Sequence, residues 1–238
     1  MTTTINSISD VNRILYINLK HRVDRKDHVE KQLKTIGFSS FERFDAIKMK
    51  FGVLGCSLSH LKCLAIAKEN NWSHVLICED DIEFLDPELF KRQLNGFLST
   101  VKSWDVILLA GNNIKEYTKP NEYSIKVSWC QTTTGYLVKR EYYDKLFNNI
   151  KFSVEKLMKE PQNHHIYAID QYWTKLQYTD NWFLITPPTV VQRDDYSDIE
   201  KRRTNYKHIM LNLDKYEKSS ETDNQSKITE NPFVKNGL

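Results

Sequence analysis

The feature that most constrains the fold is an apolar run that leads directly into three acidic residues. Residues 74–78 (HVLIC) are followed at once by Glu79, Asp80 and Asp81. Large and β-branched apolar residues without interruption are typical of a strand buried on both faces of a helix-covered parallel sheet. Ligands of such sheets bind at the carboxyl ends of the strands. The chain is therefore predicted to place three carboxylates at the ligand-binding edge of an α/β sheet.

The remaining pattern alternates between strands and helices. Further strands are predicted at residues 13–19, 41–46, 104–109, 135–138 and 182–185, and helices at 24–35, 54–70, 87–102, 141–149 and 167–176. This alternation predicts an α/β fold with a mainly parallel sheet in a single domain over residues 11–213. Residues 1–10 are predicted to be flexible, and the polar residues 214–238 to form a mobile tail.

Charge, apolar runs and cysteine content argue against a nucleic-acid-binding or membrane-spanning protein. Lys and Arg number 34 and Asp and Glu number 31, so the formal net charge of +3 does not indicate a nucleic-acid partner. The sequence contains no apolar run of the roughly 18–20 residues that a transmembrane helix needs, and no signal-peptide pattern begins it. Four scattered cysteines indicate free thiols in a reducing compartment. We therefore expect an intracellular, cytoplasmic protein.

The acidic triplet suggests metal chemistry. Side chains alternate along an extended backbone, so Glu79 and Asp81 are expected to point the same way. Two such carboxylates suit a divalent cation that also bridges a diphosphate. The alternative is a solvated acidic turn before a helix that Asp86 caps.

Two further segments could bind an anion. Asn18, Leu19 and Arg25 lie where the first strand leads into a helix, and the planar guanidinium of Arg25 suits phosphate. The alternative there is a charged, solvent-exposed helix face. In the helix that begins near Gly55, Ser59 and His60 could touch a nucleotide. Cys56, His60 and Cys63 share one side of that helix, but a zinc site would need a fourth ligand, so packed thiols are the simpler interpretation.

Asp170 lies within an aromatic segment, where a carboxylate is costly unless it is paired or functional. A helix cap is the alternative structural role. Aromatic side chains around a carboxylate are also typical of sugar sites, where they stack on pyranose rings.

Taken in order, these segments resemble glycosyltransferase family 25, which includes bacterial lipooligosaccharide galactosyltransferases and animal procollagen galactosyltransferases. The resemblance runs from about residue 14 to 199. Its motifs are Ile17-Asn18-Leu19 with Asp24-Arg25, Gly55-Cys56-Ser57-Leu58-Ser59-His60, Val75-Leu76-Ile77-Cys78-Glu79-Asp80-Asp81, Thr134-Gly135-Tyr136-Leu137-Val138, Asp170, Pro187-Pro188-Thr189-Val190-Val191-Gln192 and Ser197-Asp198-Ile199.

The resemblance implies a GT-A-like fold and an inverting transfer of a hexose, usually galactose, from a UDP-sugar to a hydroxyl of a glycan or protein. It implies Mn²⁺, or another divalent cation, held by Asp81 with Glu79, and Asp170 as the catalytic base. The nucleotide-sugar would contact Asn18, Leu19, Arg25, Ser59, His60, Glu79, Asp80 and Gln192.

Several alternatives stay open. UDP-glucose or UDP-GlcNAc could replace UDP-galactose as donor. The chain departs from the family pattern at His21 and at residues 48–50 (KMK), where relatives often carry a longer acidic loop. A metal-dependent nucleotidyl or phosphoryl enzyme would use the same acidic strand end. The other alternative is a glycosyltransferase-like module that holds glycan or UDP without turnover, and the intact acidic triplet argues against it.

Overall fold

A seven-stranded sheet lies at the centre of the computed structural model, which describes residues 5–38 and 40–215. The strands are β1 (Ile14–Asn18), β2 (Glu42–Asp45), β3 (His74–Glu79), β4 (Ile82–Phe84), β5 (Val106–Leu108), β6 (Asn112–Asn113), β7 (Ser124–Lys126), β8 (Cys130–Gln131), β9 (Gly135–Lys139), β10 (Trp182–Ile185), β11 (Val190–Gln192), β12 (Asp195–Ser197) and β13 (Arg202–Thr204). The α-helices are α1 (Val23–Ile36), α2 (Gly52–Glu69), α3 (Pro87–Thr100), α4 (Tyr143–Lys159), α5 (His164–Tyr167), α6 (Ile169–Tyr172), α7 (Thr174–Gln177) and α8 (Lys207–Leu211).

The strand order of the sheet is β2-β1-β3-β9-β5-β10-β7. Strand β1 pairs in parallel with β2 and β3, and β5 pairs in parallel with β10. Strand β9 runs antiparallel between β3 and β5, and β7 runs antiparallel at one edge. Five of the seven strands therefore share one direction, which confirms the predicted α/β fold and the mainly parallel sheet.

Strand β3 is buried on both faces, as its apolar sequence predicts. Leu76 and Cys78 pack in one apolar cluster with residues of α1 and α3, whereas Val75 and Ile77 pack in a second cluster with residues of α2 and α4. All four side chains have no exposed surface. Helices therefore cover both faces of the sheet, and ligands can reach it only at its edges.

Two helix boundaries follow from their sequence signals. Helix α1 ends before Gly37, which adopts a left-handed φ of 94° that glycine tolerates without a side-chain clash. Helix α3 begins after Asp86, whose Oδ1 accepts a hydrogen bond of 2.9 Å from the backbone N–H of Leu89. The prediction that Asp86 caps this helix is confirmed.

Two predicted helices were wrong in extent. The helix predicted at 141–149 continues to Lys159, because Ile150, Val154 and Leu157 extend the same buried face. The continuous helix predicted at 167–176 is broken at Ala168, whose ψ of 146° is not helical. The break starts a new short helix, α6, with Asp170 in its first turn.

Both ends of the described chain contact the domain. Ile5 is buried, and the backbone N–H of Ile8 donates to Asn95. Near the other end, the Lys215 ammonium donates to the carbonyl oxygens of Asn113 and Ile209. Residues 1–4, which are predicted to be flexible, and residues 216–238 of the predicted tail lie outside the described residues. Among the residues with described structure, every helix is too short or too polar to cross a bilayer.

Candidate active site

A cavity of about 590 Å³ lies at the carboxyl edge of the sheet. The parallel strands β1 and β3 end there, and the antiparallel strand β9 begins there, so the segments 18–19, 79–81 and 131–133 meet at one edge. Of the residues predicted to bind substrate, metal or proton, those that line the cavity are Leu19, Arg25, Ser59, Glu79, Asp80, Asp81, Asp170 and Gln192.

Arg25 supplies the positive charge that three adjacent carboxylates require. Its Nη1 lies 2.9 Å from Asp80 Oδ1 and 3.1 Å from Asp81 Oδ2, and its Nε lies 3.2 Å from Asp195 Oδ2. The side chain is only 10% exposed. We call Glu79, Asp80 and Asp81 the acidic edge. Because three carboxylates hold its guanidinium, Arg25 positions the acidic edge and is not available to bind a phosphate.

Asp80 links the acidic edge to strand β1. Its Oδ2 accepts a 2.7 Å hydrogen bond from Asn18 Nδ2, and its Oδ1 is the oxygen paired with Arg25. Asn18 itself is 1% exposed, and its Oδ1 accepts from Arg43. Asn18 therefore lies behind the cavity wall and orients Asp80.

Asp81 offers an oxygen that the described part of the chain leaves unused. Oδ1 is buried and has no hydrogen-bond partner, whereas Oδ2 pairs with Arg25. Burial, together with the charge of Glu79, raises the pKa of this carboxyl to about 8. A bound cation would compensate both the unpaired oxygen and the buried charge, and carboxylate oxygens are the ligands that Mn²⁺ and Mg²⁺ prefer. This donor therefore fits a hard divalent cation.

Glu79 does not share the contacts of Asp80 and Asp81 with Arg25. Its Oε1 accepts hydrogen bonds from Thr133 Oγ1 at 2.7 Å, His60 Nε2 at 3.2 Å and Cys56 Sγ at 3.4 Å. Burial alone would raise the pKa of Glu79, but these donors outweigh it and hold the pKa at about 2.

The expectation that Glu79 and Asp81 point the same way is therefore wrong. The extended backbone ends at Glu79, and the two residues after it form a turn. The turn sends both Asp80 and Asp81 toward Arg25, while Glu79 contacts α2.

His60 does not reach the cavity. Its ring has no exposed surface; Nε2 donates to Glu79, and Nδ1 accepts from the Tyr136 hydroxyl at 3.0 Å. The residue orients Glu79 from behind, so a direct contact with nucleotide would need the wall to move.

Ser59 ties the loop before α2 to that helix. Its Oγ accepts from the backbone N–H of Ile47 at 2.9 Å and donates to the carbonyl of Gly55 at 2.7 Å. The loop lies so close that a Cβ on Gly55 would be 2.5 Å from the Ile47 oxygen. Glycine at this position therefore permits the loop that carries Lys48 and Lys50 to line the cavity.

Asp170 lies in the cavity wall near the acidic edge. Its Oδ2 accepts a hydrogen bond of 3.2 Å from the backbone N–H of Thr132, and burial raises the pKa of the carboxyl. Thr132 has a φ of 78°, a left-handed conformation that is strained for a β-branched residue. The residue whose N–H positions Asp170 therefore has a strained backbone conformation.

A hairpin formed by β12 and β13 closes one side of the cavity. Asp195 and Asp198 bind Arg22 at 2.9 and 2.6 Å, and residues 197–201 line the cavity. Sequence reasoning missed Asp195, Thr133 and Asn112 at this site. Asn112 could have been found, because it lies three residues after the end of the predicted strand 104–109.

A family model described as glycosyltransferase family 25 (LPS biosynthesis protein) matches residues 48–220. The match spans most of the chain and includes the acidic edge, Asp170 and the hairpin. The chain therefore belongs to glycosyltransferase family 25, and the resemblance noted in its motifs is confirmed.

Curated relatives agree with this class. The chain is 28% identical over 156 residues to a glycosyltransferase of Acanthamoeba polyphaga mimivirus, with 55% of this chain and 46% of that protein covered. It is 26% identical over 172 residues to procollagen galactosyltransferase 1-B of Xenopus laevis, with 57% and 28% covered. The chain thus matches less than half the length of each of these relatives.

Solved structures of glycosyltransferases are more distant. One, involved in glycosylation of the major capsid of PBCV-1, has a TM-score of 0.44 and 11% identity, with 73% of this chain and 81% of that chain covered. A Drosophila galactosyltransferase 7, solved with manganese, UDP-Gal and xylobiose, has a TM-score of 0.38 and 12% identity, with 95% and 82% covered.

Proposed function

We propose that this chain is a metal-dependent, inverting glycosyltransferase that moves a hexose from a UDP-sugar to an acceptor hydroxyl. Family membership supports the class of reaction. The observation that carries the proposal is the cavity itself, in which the unpaired buried oxygen of Asp81 and the buried carboxylate of Asp170 face one volume. The two groups suit the two tasks of such a transfer, namely binding of a diphosphate and activation of a hydroxyl.

In this proposal Asp81 would hold Mn²⁺ through Oδ1. The bound ion would supply positive charge that neutralises the diphosphate of the departing UDP. Arg25 keeps the carboxylate of Asp81 in place, and Asp80 fastens Arg25 to the end of β1 through Asn18. Leu19 and Gln192 would contact the nucleotide-sugar, because both line the cavity.

Asp170 would act as the general base that takes the proton of the acceptor hydroxyl. Burial raises the pKa of its carboxyl, which makes the carboxylate a stronger base near neutral pH. The Thr132 N–H holds Asp170 Oδ2 and so orients the carboxylate in the cavity wall. Inversion follows in this scheme, because the activated hydroxyl attacks the sugar directly without a covalent enzyme intermediate.

Galactose is the donor sugar we propose, since a procollagen galactosyltransferase is among the relatives. The acceptor in this proposal is a hydroxyl of a glycan or of a protein. UDP-glucose and UDP-GlcNAc are the competing donors.

The test is UDP release from a panel of UDP-sugars with Mn²⁺, measured for the parent, Asp170→Asn and Asp144→Asn. Asp144 is an exposed carboxylate of α4 and serves as the matched control. We expect Asp170→Asn to lose about 10²–10⁴-fold in turnover while it retains UDP binding, because general-base catalysis is worth that much. Parental turnover in Asp170→Asn would refute the assignment of the base.

A further inference from the structure

A second group of potential metal ligands lies in the cavity wall, separate from Asp81 Oδ1. Cys56 Sγ, His60 Nε2 and Glu79 Oε1 lie within 4.8 Å of one another. The distance from Oε1 is 3.4 Å to Sγ and 3.2 Å to Nε2. Zinc bonds of about 2.0–2.3 Å in a tetrahedron place ligand atoms about 3.3–3.8 Å apart. The two distances from Glu79 Oε1 are therefore close to the spacing of a zinc site, and the third distance, from Cys56 Sγ to His60 Nε2, is at most 4.8 Å.

The chemistry of this group differs from that of Asp81. Sulfur and imidazole nitrogen are softer ligands than carboxylate oxygen, so the set favours Zn²⁺ or Cd²⁺ over Mn²⁺ or Mg²⁺. We propose that Cys56, His60 and Glu79 form a second metal site, which takes a thiophilic divalent cation of the zinc class and leaves its fourth position open to the cavity.

The surroundings are those of a supported metal site. Tyr136 stacks on the His60 ring with centroids 5.6 Å apart, and its hydroxyl contacts Nδ1 at 3.0 Å. A metal-ligating histidine commonly donates its second ring N–H to a fixed partner, and the Tyr136 hydroxyl oxygen is placed to accept such a hydrogen bond from Nδ1. Cys56 and Glu79 line the cavity, so an ion can enter from that side.

Binding would release one proton. The Cys56 thiol loses its proton to solvent and becomes the thiolate that bonds the metal. His60 would bond the metal through Nε2 with a ring proton on Nδ1, and the Tyr136 hydroxyl oxygen would accept a hydrogen bond from that N–H. Glu79 exchanges its hydrogen bonds from Cys56 and His60 for a bond to the ion and keeps that from Thr133.

The test uses cadmium alone, added to the full chain without Mn²⁺ or sugar donor. A cadmium–thiolate bond gives an ultraviolet charge-transfer band, and we expect this band to saturate at one equivalent. Asp81→Asn should retain the band, whereas Cys56→Ser should lose it while its circular dichroism stays parental. No band in the parent, or an equal band in Cys56→Ser, would overturn the proposal.

A measurement on the parent alone keeps the proposal testable if Cys56→Ser does not fold. Cys56 is labelled with iodoacetamide in the presence and in the absence of Zn²⁺, and peptide mass spectrometry measures the rate of labelling in each case. At a free Zn²⁺ concentration about ten times the Kd, the labelling rate should fall about tenfold, because only the metal-free fraction of the protein reacts. An unchanged labelling rate would exclude Cys56 as a ligand. Neither measurement depends on glycosyl transfer, so each proposal can fail without the other.

Discussion

Three neighbouring carboxylates differ in this protein because their partners differ. Asp80 uses both oxygens in contacts with Asn18 and Arg25, Glu79 is held by three donors, and Asp81 keeps one buried oxygen without a partner. Hydrogen bonds lower the pKa of Glu79, whereas burial raises that of Asp81. Adjacent residues of one chemical type therefore take separate roles through their environment alone.

Arg25→Met should destabilise the fold strongly, because it leaves the buried carboxylates of Asp80 and Asp81 without their counter-charge. We expect a loss of about 3–5 kcal/mol in the free energy of unfolding, measured by urea denaturation. Arg202→Met is the control. Its side chain is 64% exposed and pairs with Glu200, so it should cost at most about 1 kcal/mol. Equal effects of the two substitutions would contradict the central role of Arg25.

At this scale the sequence predicts which residues gather at the site, but not what each one touches. The pattern of strand ends brought Arg25 and the acidic triplet to one edge of the sheet. Arg25 was expected to bind phosphate, however, and it pairs with Asp80 and Asp81 instead. The turn after Glu79 was not predictable from side-chain alternation, because alternation holds only while the backbone stays extended. The burial of His60 behind Glu79 depends on Tyr136, which is 76 residues away in the chain.

Among the elements, the β12–β13 hairpin depends on a few ion pairs for its position. Arg22 binds Asp198 through Nη1 and Asp195 through Nη2, and Arg25 adds a contact to Asp195. The hairpin side chains are mostly half-buried or exposed, so little apolar packing supplements these pairs.

Asp198→Asn should therefore loosen the hairpin without unfolding the domain. We expect faster amide hydrogen exchange in residues 195–204 and an unchanged rate in β3. The exposed substitution Asp144→Asn is again the matched control and should change neither segment. Unaltered exchange in the hairpin of Asp198→Asn would show that the Arg22 pairs do not hold it.

Strands that are continuous apolar runs were predictable, and two-residue strands were not. Strand β10 was predicted at its observed bounds, and β3 to within one residue, because each is a continuous apolar run. The two-residue strands β6 and β8 carry no pattern of their own and form through pairing with each other. Ala168, which breaks the predicted helix, has a high helix propensity, so packing overrides local preference there.

For the whole molecule, stability should depend on pH through His74, which lies at the start of β3. Its ring is 1% exposed, and Nε2 accepts from the backbone N–H of Asn12. Burial, aided by the charge of Arg13, lowers the pKa of His74 to about 4. The unfolded chain, with a histidine pKa near 6.5, therefore binds more protons than the folded chain between pH 6.5 and 4.

The free energy of unfolding should accordingly fall as the pH drops from 6.5 to 4, by up to about 3 kcal/mol from this residue. Urea denaturation at several pH values measures the slope. His74→Gln should flatten the slope in this window, whereas His165→Gln, at an exposed position, should leave it unchanged. A parental slope in His74→Gln would assign the effect to other groups.

The acidic edge is proposed to bind a nucleoside diphosphate through a cation at Asp81. The most direct measurement is calorimetric titration of UDP into the parent and into Asp81→Asn, each with Mn²⁺ and with EDTA. We expect binding to the parent that requires Mn²⁺ and is lost in Asp81→Asn, while both proteins share one circular dichroism spectrum. Equal UDP affinity in EDTA and Mn²⁺, or parental affinity in Asp81→Asn, would contradict it.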